Sequence, residues 1–310
     1  MNRRARIGLA ALAAITVAAT AAGCGLGPGK GTGDVTLTVT RAFGQSRVGT
    51  VTRASVPGSE TVMRMLERSF RVQTRYGGGF VESIDGQSGN PNRLDWFYYI
   101  NGIEAPIGAA GTAVHHGDRI WWDLHDWSAT NSVPAVVGSF PEPFLHGIGG
   151  RRLPTTVECT PDATAACATV AGAIGRSGAP VARQLFGTGS GSDSLNVLVG
   201  PWRELHTVIA GALIEKGPAA SGVYARFSAG GSTLQLLDPR GRVVRTLGAG
   251  AGLVAATATR SSKPTWLITG TDATGVRSAA AALSTTRLAD RFALAVTPTG
   301  DLPVPLQAGR

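Results

Sequence analysis

Residues 95–127 read DWFYYINGIEAPIGAAGTAVHHGDRIWWDLHDW. The chain has six Trp, four Tyr and nine Phe residues, and seven of these aromatic residues lie within this stretch. The two ends predict a pair of β-strands, with Asn101 and Gly102 as a turn dipeptide whose residues tolerate positive φ. Successive side chains of a strand point to opposite faces. One face then receives Trp96, Tyr98, Ile100, Ile120, Trp122 and Leu124, and the other receives Phe97, Tyr99, Trp121, Asp123, His125 and Trp127.

Both faces of this strand pair therefore carry aromatic rings. A two-stranded ribbon buries one face in its own domain, so the second face needs a neighbouring domain or a ligand. Rigid aromatic rings suit a flat ligand in a cleft between domains. The ligand-binding candidates are Tyr99, Asn101, Trp121, His125 and Trp127. The alternative is a non-enzymatic structural or protein-interaction role, with the same rings permanently buried against a second domain.

The residues around this pair predict a domain over 34–130. Two alternating segments, 34–41 and 47–54, form a strand pair, and a helix capped by Ser59 follows, with Val62, Met65, Leu66 and Phe70 at helical spacing. Strands at 71–76 and 79–84 precede the aromatic pair. This order predicts an α+β, β-grasp-like domain, with one helix packed on a mixed sheet.

Four segments in this domain carry a resemblance to a known family. They read VPGSETVMRMLERSF, GGFVESIDG, DWFYYING and HHGDRIWWDLHDW, in that order. The succession resembles the transcobalamin-like C-terminal domain of bacterial surface proteins, over about a third of the chain. The resemblance implies capture of a vitamin, cobalamin or another small molecule, with an energy-coupling-factor transporter as a possible partner. The large helical domain that completes the cobalamin site of the animal carriers has no counterpart in this sequence.

The N-terminus has the pattern of an export signal. Three arginines precede an apolar run over 7–22, which is too short and Ala-rich for a membrane-spanning helix. Ala21-Ala22-Gly23-Cys24 resembles the bacterial lipobox, with Ala21 in place of the usual Leu. The sequence predicts a signal peptide over 1–23, lipidation of Cys24, a glycine-rich tether over 24–33 and a lipid-anchored protein on the extracytoplasmic face of the cell membrane. The alternative is a secreted protein with Cys24 as a free thiol.

Charge narrows the partners. The chain has a formal charge of +9, which falls to +6 once the three arginines of the signal are removed. The excess lies in the second half and suits an anionic membrane or cell-wall surface. Nucleic acid is excluded as a partner, because the chain is exported and its basic residues form no cluster interleaved with aromatics.

The second half predicts a Pro/Gly-rich linker over 131–155, which packs on a surface through Phe140, Phe144 and Leu145, and an α/β layered domain over 156–306. Segments 196–213 and 265–283 each combine an apolar strand, a glycine-marked turn and an amphipathic helix. Further strands are predicted at 222–227, 233–237, 243–247 and 292–296. The two helix N-termini could hold an anion, although most turns of this kind bind nothing.

Few residues point to chemistry. Cys159 and Cys167, with seven residues between them in an exported chain, predict a local disulfide. Histidines and aspartates cluster in 115–126, but adjacent strand residues point to opposite faces, so no metal site is predicted. Segment 187–194, GTGSGSDS, is a loop and not a nucleophile elbow. We expect no catalytic residues and no cofactor, with cobalamin considered only as a ligand.

Overall fold

The computed structural model describes residues 32–259 and 262–307. Signal residues 1–23 and the predicted lipidation site Cys24 lie outside these ranges, as does the tether up to residue 31. The first domain consists of β1 (Thr32–Arg41), β2 (Ser46–Val56), α1 (Val62–Glu67), β3 (Val72–Arg75), β4 (Phe80–Ile84), β5 (Gln87–Ser88), β6 (Leu94–Ile100), β7 (Ile103–Glu104) and β8 (Arg119–Asp126).

Five of these strands form a mixed sheet in the order β2-β1-β8-β6-β7. Strand β1 is parallel to β8 and antiparallel to β2, and β6 is antiparallel to β8, with Tyr98 opposite Trp122 and Tyr99 opposite Trp121. The predicted aromatic strand pair and the α+β, β-grasp-like order are both confirmed. Strands β3, β4 and β5 form a separate small sheet.

Helix α1 packs on one face of the mixed sheet through Val62, Met65 and Leu66, which share a core with Trp96 and Trp122. The predicted cap at Ser59 is wrong, because the side chain of Thr61 accepts the hydrogen bond from the Arg64 amide. The helix therefore begins two residues later than the sequence predicts. Ser and Thr both cap helices well, so the sequence by itself does not distinguish Ser59 from Thr61 as the cap.

The second domain consists of β9 (Thr155–Cys159), α2 (Thr164–Arg176), β10 (Val181–Leu185), β11 (Leu195–Val199), α3 (Trp202–Leu205), α4 (Ile209–Glu215), α5 (Pro218–Ser221), β12 (Ala225–Phe227), β13 (Leu234–Leu237), β14 (Val243–Leu247), β15 (Gly252–Thr257), β16 (Thr265–Gly270), α6 (Ala273–Ala281), α7 (Thr285–Leu288), β17 (Ala293–Thr297) and β18 (Gly300–Val304). Its main sheet has the order β10-β9-β11-β16-β15-β17-β18, and β12, β13 and β14 form a small antiparallel sheet. Strands β10, β9, β11 and β16 are parallel, while β15, β17 and β18 run antiparallel to their neighbours.

The main sheet is covered on both faces. Helices α2 and α6 pack on one face, together with Phe140 and Phe144, whose rings lie 6.2 and 5.0 Å from that of Trp266. The other face, which includes Leu253 and Leu267, packs against α4, the sheet of β12, β13 and β14, and the first domain. Segment 131–155 therefore contributes to the hydrophobic core as well as joining the domains.

The two predicted strands of the strand-and-helix repeats, β11 and β16, are present as parallel neighbours. Strand β16 is followed by α6 as predicted, whereas the single helix predicted after β11 is divided into the two short helices α3 and α4. Helix α2 and strands β9, β10, β15 and β18 were not predicted. No helix in residues 32–259 or 262–307 is long and apolar enough to cross a membrane.

Candidate functional site

The second aromatic face of β6 and β8 lies against the second domain. Tyr99, Trp121 and His125 are 0%, 3% and 2% exposed. The ring of Phe292, from the second domain, lies 5.6 Å from the Tyr99 ring and 5.1 Å from the Trp121 ring, both edge-on. Offset and edge-on contacts of this kind are the favourable arrangements of aromatic pairs. The two domains thus share one aromatic core.

A buried carboxylate organises the same face. Asp123 Oδ1 accepts hydrogen bonds from the Phe43 amide at 3.0 Å and pairs with His125 Nδ1 at 3.0 Å. Its Oδ2 accepts from the Gly44 amide at 2.8 Å and from Thr40 Oγ1 at 2.5 Å. A buried carboxylate is costly unless it is hydrogen-bonded, and both oxygens of this carboxylate are hydrogen-bonded. The network fixes the turn after β1, which places Phe43 against the second domain.

His125 is held from two sides. Its ring stacks on that of Phe97 at 4.4 Å and lies 4.5 Å from that of Phe43. The indole Nε1 of Trp121 donates to Thr40 Oγ1 at 2.7 Å, which connects this Trp to the Asp123 network. These side chains are engaged within the protein and do not face solvent.

The other two sequence candidates have structural surroundings as well. Asn101, at φ +53°, donates from Nδ2 to Asp118 Oδ1 and to the Gly147 carbonyl and accepts from the Arg119 amide. Trp127 lies beyond the end of β8 and is half-buried, with its amide donating to the Arg93 carbonyl.

Of the two alternatives for the aromatic face, an exposed ligand site or permanent burial against a second domain, the structure shows burial for Tyr99 and Trp121. A second-domain surface rich in Phe292, Tyr224 and Leu267 covers these rings. Apolar area of this size is removed from water when a covering surface is available, and the second domain supplies it. A ligand would reach these two rings only if the domains separated.

An open groove does lie at another part of the domain junction. Its volume is about 510 Å³. One wall consists of β7 and the two residues after it, and a second consists of segment 130–134. Helices α4 and α5 and the segment after β15 complete the lining. The lining residues are Ile103, Glu104, Ala105, Pro106, Thr130, Asn131, Ser132, Pro134, Leu213, Ala219, Ala220, Ala258, Thr259 and Ser262.

Glu104 is the ionisable side chain of this groove among the residues that the structure describes. Two backbone contacts fix the position of Glu104. It pairs with Tyr99 across β6 and β7, and the Glu104 amide donates to the Pro134 carbonyl at 3.1 Å. Ser132 Oγ donates to Glu104 Oε2 at 2.5 Å. Burial raises the pKa of the Glu104 carboxyl, against the opposing effects of the Ser132 hydrogen bond and of nearby His125.

The groove thus combines small apolar walls with one partly desolvated carboxylate and nearby hydroxyl and amide groups. That composition is typical of small-molecule sites, where a few polar groups fix the orientation of a ligand held mainly by apolar contact. Sequence reasoning missed Glu104, because it follows the turn at Gly102 in a segment without strand periodicity. The signal available was an acidic residue beside the aromatic strand.

The cysteines and histidines have local roles. Cys159 at the end of β9 and Cys167 in α2 form the predicted disulfide, with their Cα atoms 5.8 Å apart. His146 Nδ1 pairs with Glu142 Oε1 at 2.6 Å, and His115 Nδ1 lies 3.4 Å from Asp118 Oδ2. Within the described ranges, no group of three or more His, Cys, Asp or Glu side chains is arranged to hold a metal ion.

Comparison with known proteins finds similarity in the first domain. Residues 59–126 match the model of a domain family described as a domain of unknown function, DUF4430. The match falls inside the predicted 34–130 domain; it covers two of the four motif segments completely, and the first and last of them in part. A search of the curated proteins found no match.

Two solved structures resemble about a third of the chain. One is described as a candidate metal-binding protein from Ruminococcus gnavus, with 18% identity and a TM-score of 0.26, covering 30% of this chain and 97% of that one. The other is haptocorrin in complex with Cbi, with 18% identity and a TM-score of 0.25, covering 30% of this chain and 25% of that one. At these TM-scores the likenesses carry no argument about a ligand.

Proposed function

We propose that the mature chain is a lipid-anchored, extracytoplasmic binding protein that holds a small molecule in the groove between its two domains. The observation that carries this proposal is the 510 Å³ groove at the domain junction, into which the partly desolvated Glu104 carboxylate projects from a fixed strand. In this proposal the protein is not an enzyme, and the ligand is a vitamin or another compound destined for uptake.

The size and position of the groove support this proposal. Small-molecule sites usually measure about 300 to 1,000 Å³ and occur preferentially between domains. The domains are held together by an aromatic core, so the groove is largely formed before a ligand arrives. Preorganisation of this kind avoids part of the entropy cost of binding. Cobalamin remains among the compounds to be tested, and an energy-coupling-factor transporter remains the partner that we propose for uptake.

The binding test compares what is retained by the native protein and by a blocked variant. The chain from residue 32 onward would be purified under native conditions, and the compounds that it carries would be identified by mass spectrometry. Ala219→Trp places an indole in the groove, since Ala219 is the exposed residue of helix α5 and lines the groove. Ala168→Trp is the matched control, because Ala168 is exposed on α2, which packs on the opposite face of the main sheet.

We expect a compound that co-purifies with the wild type and with Ala168→Trp and is lost from Ala219→Trp. Trp-fluorescence titration with that compound, and with cobalamin, would then give dissociation constants for the three proteins. Equal retention by both Trp variants would show that the groove is not the binding site.

Anchoring is tested separately in cells. Cys24 is the residue placed for acylation, so Cys24→Ala should release the protein from the membrane fraction or stall removal of the signal. Unchanged membrane fractionation, together with an unmodified N-terminus in the wild type, would contradict lipidation.

A second candidate function is a non-enzymatic structural or protein-interaction lipoprotein. The burial of Tyr99, Trp121 and His125 between the domains favours it, because the rings that were expected to capture a ligand serve as interface packing. Absence of any retained compound, combined with capture of the same envelope protein by wild type and Ala219→Trp, would favour this candidate over the first.

A further inference from the structure

A second groove lies wholly within the first domain, away from the domain junction. It occurs where the sheet of β3, β4 and β5 meets the start of β6, and its volume is about 340 Å³. Tyr76, which is 87% exposed, and Phe80, which is 42% exposed, both line it. Pro91 and Leu94 add apolar wall, and Asp95 also lines the groove. Two large aromatic side chains thus meet solvent at the same depression.

Tyr76 occupies a backbone conformation that a bulky residue rarely adopts. Its φ is +54°, and Gly77 and Gly78 follow at +69° and +91°. Glycine accepts such values without steric cost, whereas a residue with a large Cβ substituent is strained there. Strain of this kind concentrates at ligand clamps and functional sites. The side chain of Tyr76 is exposed and makes little contact with its own domain, so packing within the domain does not account for the backbone strain.

The charges around the groove are unequal. Arg75 and Glu82 form an ion pair with each other, which leaves their combined charge at zero. Asp95 is half-buried, and its Oδ1 accepts a hydrogen bond from the Trp96 amide at 2.7 Å. Burial raises the pKa of the Asp95 carboxyl, against the hydrogen bond from Trp96 and the charge of His125 across the strand pair. A positive charge brought to this carboxylate would therefore be favoured.

We propose that the Tyr76–Phe80 groove binds a small organic cation, with a substituted ammonium held over the aromatic rings and paired with the Asp95 carboxylate. Ammonium ions are attracted to the faces of Tyr and Phe rings, and the attraction grows when the cation is partly desolvated. The net charge of the lining, from Arg75, Glu82 and Asp95, is negative and complements such a ligand. This site is independent of the interdomain groove, so either can fail without the other.

Choline is the probe, and its uncharged isostere 3,3-dimethylbutan-1-ol is the chemical control. Binding to the chain from residue 32 onward would be followed by chemical shifts of the backbone amides of 75–95. Tyr76→Gly removes the ring and supplies the residue that the backbone prefers, and Asp95→Asn removes the charge while keeping an acceptor for the Trp96 amide. Ile107→Ala is the matched control, because Ile107 is an exposed apolar residue outside the groove lining.

We expect choline to bind the wild type and Ile107→Ala equally, and at least about tenfold more tightly than the isostere. Tyr76→Gly should lose binding while unfolding at a higher urea concentration than the wild type, since the strain at residue 76 is removed. Asp95→Asn should lower choline affinity about tenfold without changing the weak affinity for the isostere. No saturable choline shift in the wild type, equal affinity for the isostere, or full affinity in Tyr76→Gly would overturn the proposal.

Discussion

Trp121 and Trp122 are neighbours in sequence and belong to different hydrophobic cores. Trp122 packs beneath helix α1 with Trp96 and Tyr98, while Trp121 packs with Phe43 and Phe292 at the domain junction. The alternation of side chains along β8 sends them to opposite faces, as the sequence predicts. Both are 3% exposed, so each loses about the same area from water on folding.

We therefore expect Trp121→Ala and Trp122→Ala to lower the free energy of unfolding by similar amounts, about 3 to 5 kcal/mol each. The sequence leaves open whether Trp121 meets a ligand or a second domain, and a much smaller effect on stability is expected only if it meets a ligand. Urea unfolding followed by circular dichroism would measure both, with half-buried Trp127→Ala as the control of smaller effect. A change below about 1 kcal/mol for Trp121→Ala would mean that the domain contact does not form in solution.

Glu104 leads to a prediction about pH. Burial raises the pKa of its carboxyl above the ordinary value of 4.5, so between the two values the folded state binds more protons than the unfolded chain. Stability then falls as pH rises through that window. Glu104→Gln removes the titration and keeps an acceptor for Ser132, so the variant should gain stability relative to the wild type as the pH rises above the ordinary value of 4.5. Exposed Glu67→Gln is the control, and parallel stability curves for Glu104→Gln and wild type would contradict the prediction.

At the scale of elements, the disulfide joins a strand, β9, and a helix, α2, neither of which was predicted from the sequence. Strand β9 ends at Cys159, and Cys167 lies in the buried side of α2, eight positions later. The bond therefore closes the connection between β9, the second strand from the edge of the sheet, and the helix that covers it. Helix α2 has the sequence TAACATVAGAIGR, in which small residues obscure helical periodicity.

Reduction of this disulfide should lower the free energy of unfolding by roughly 2 to 3 kcal/mol, because a short loop gains chain entropy in the unfolded state when the bond is opened. Unfolding of the chain from residue 32 onward would be compared with and without reductant. Alkylation and mass spectrometry should find no free thiol at Cys159 or Cys167 in the non-reduced protein. The same midpoint with both thiols demonstrably free would show that the bond does not support the fold.

At the scale of the whole molecule, the domains meet through close backbone contacts as well as rings. A Cβ added to Gly138 would lie 2.7 Å from the Trp121 ring and 2.8 Å from the Arg291 amide nitrogen. Arg47 and Asp290 form an ion pair across the same boundary, and Gln45 Nε2 donates to the Pro305 carbonyl at 3.1 Å. Residues separated by more than 240 positions are thereby brought into contact.

Gly138→Ala should destabilise the junction by about 1 to 3 kcal/mol through overpacking, because two of the three atoms nearest to the added Cβ belong to the Arg291 backbone. The native protein should unfold in one transition, and the variant should unfold in two, as the domains lose their coupling. Gly191→Ala, where nothing lies within 4 Å of the added Cβ, is the matched control. A single unchanged transition in Gly138→Ala would indicate that the contact can relax at no cost.

The local pattern of residues was sufficient for much of this architecture. Alternation in 95–100 and 119–126 determined which rings share a face, and the order of strand, strand, helix and strands determined the β-grasp-like domain. The paired apolar strands and helices after residue 195 determined a layered second domain. The short spacing of Cys159 and Cys167 determined the disulfide. Each of these features depends on residues close together in the chain, so periodicity and spacing reveal it.

Only the tertiary structure decided what covers the second aromatic face and where a groove stays open. Tyr99 and Trp121 are buried because Phe292 and Tyr224, more than 100 residues away, present a matching apolar surface. Glu104 projects into a groove because segment 130–134 and helix α5 converge beside it. A side chain's face follows from its own strand, whereas the surface that meets that face depends on how distant segments pack, which no local period encodes.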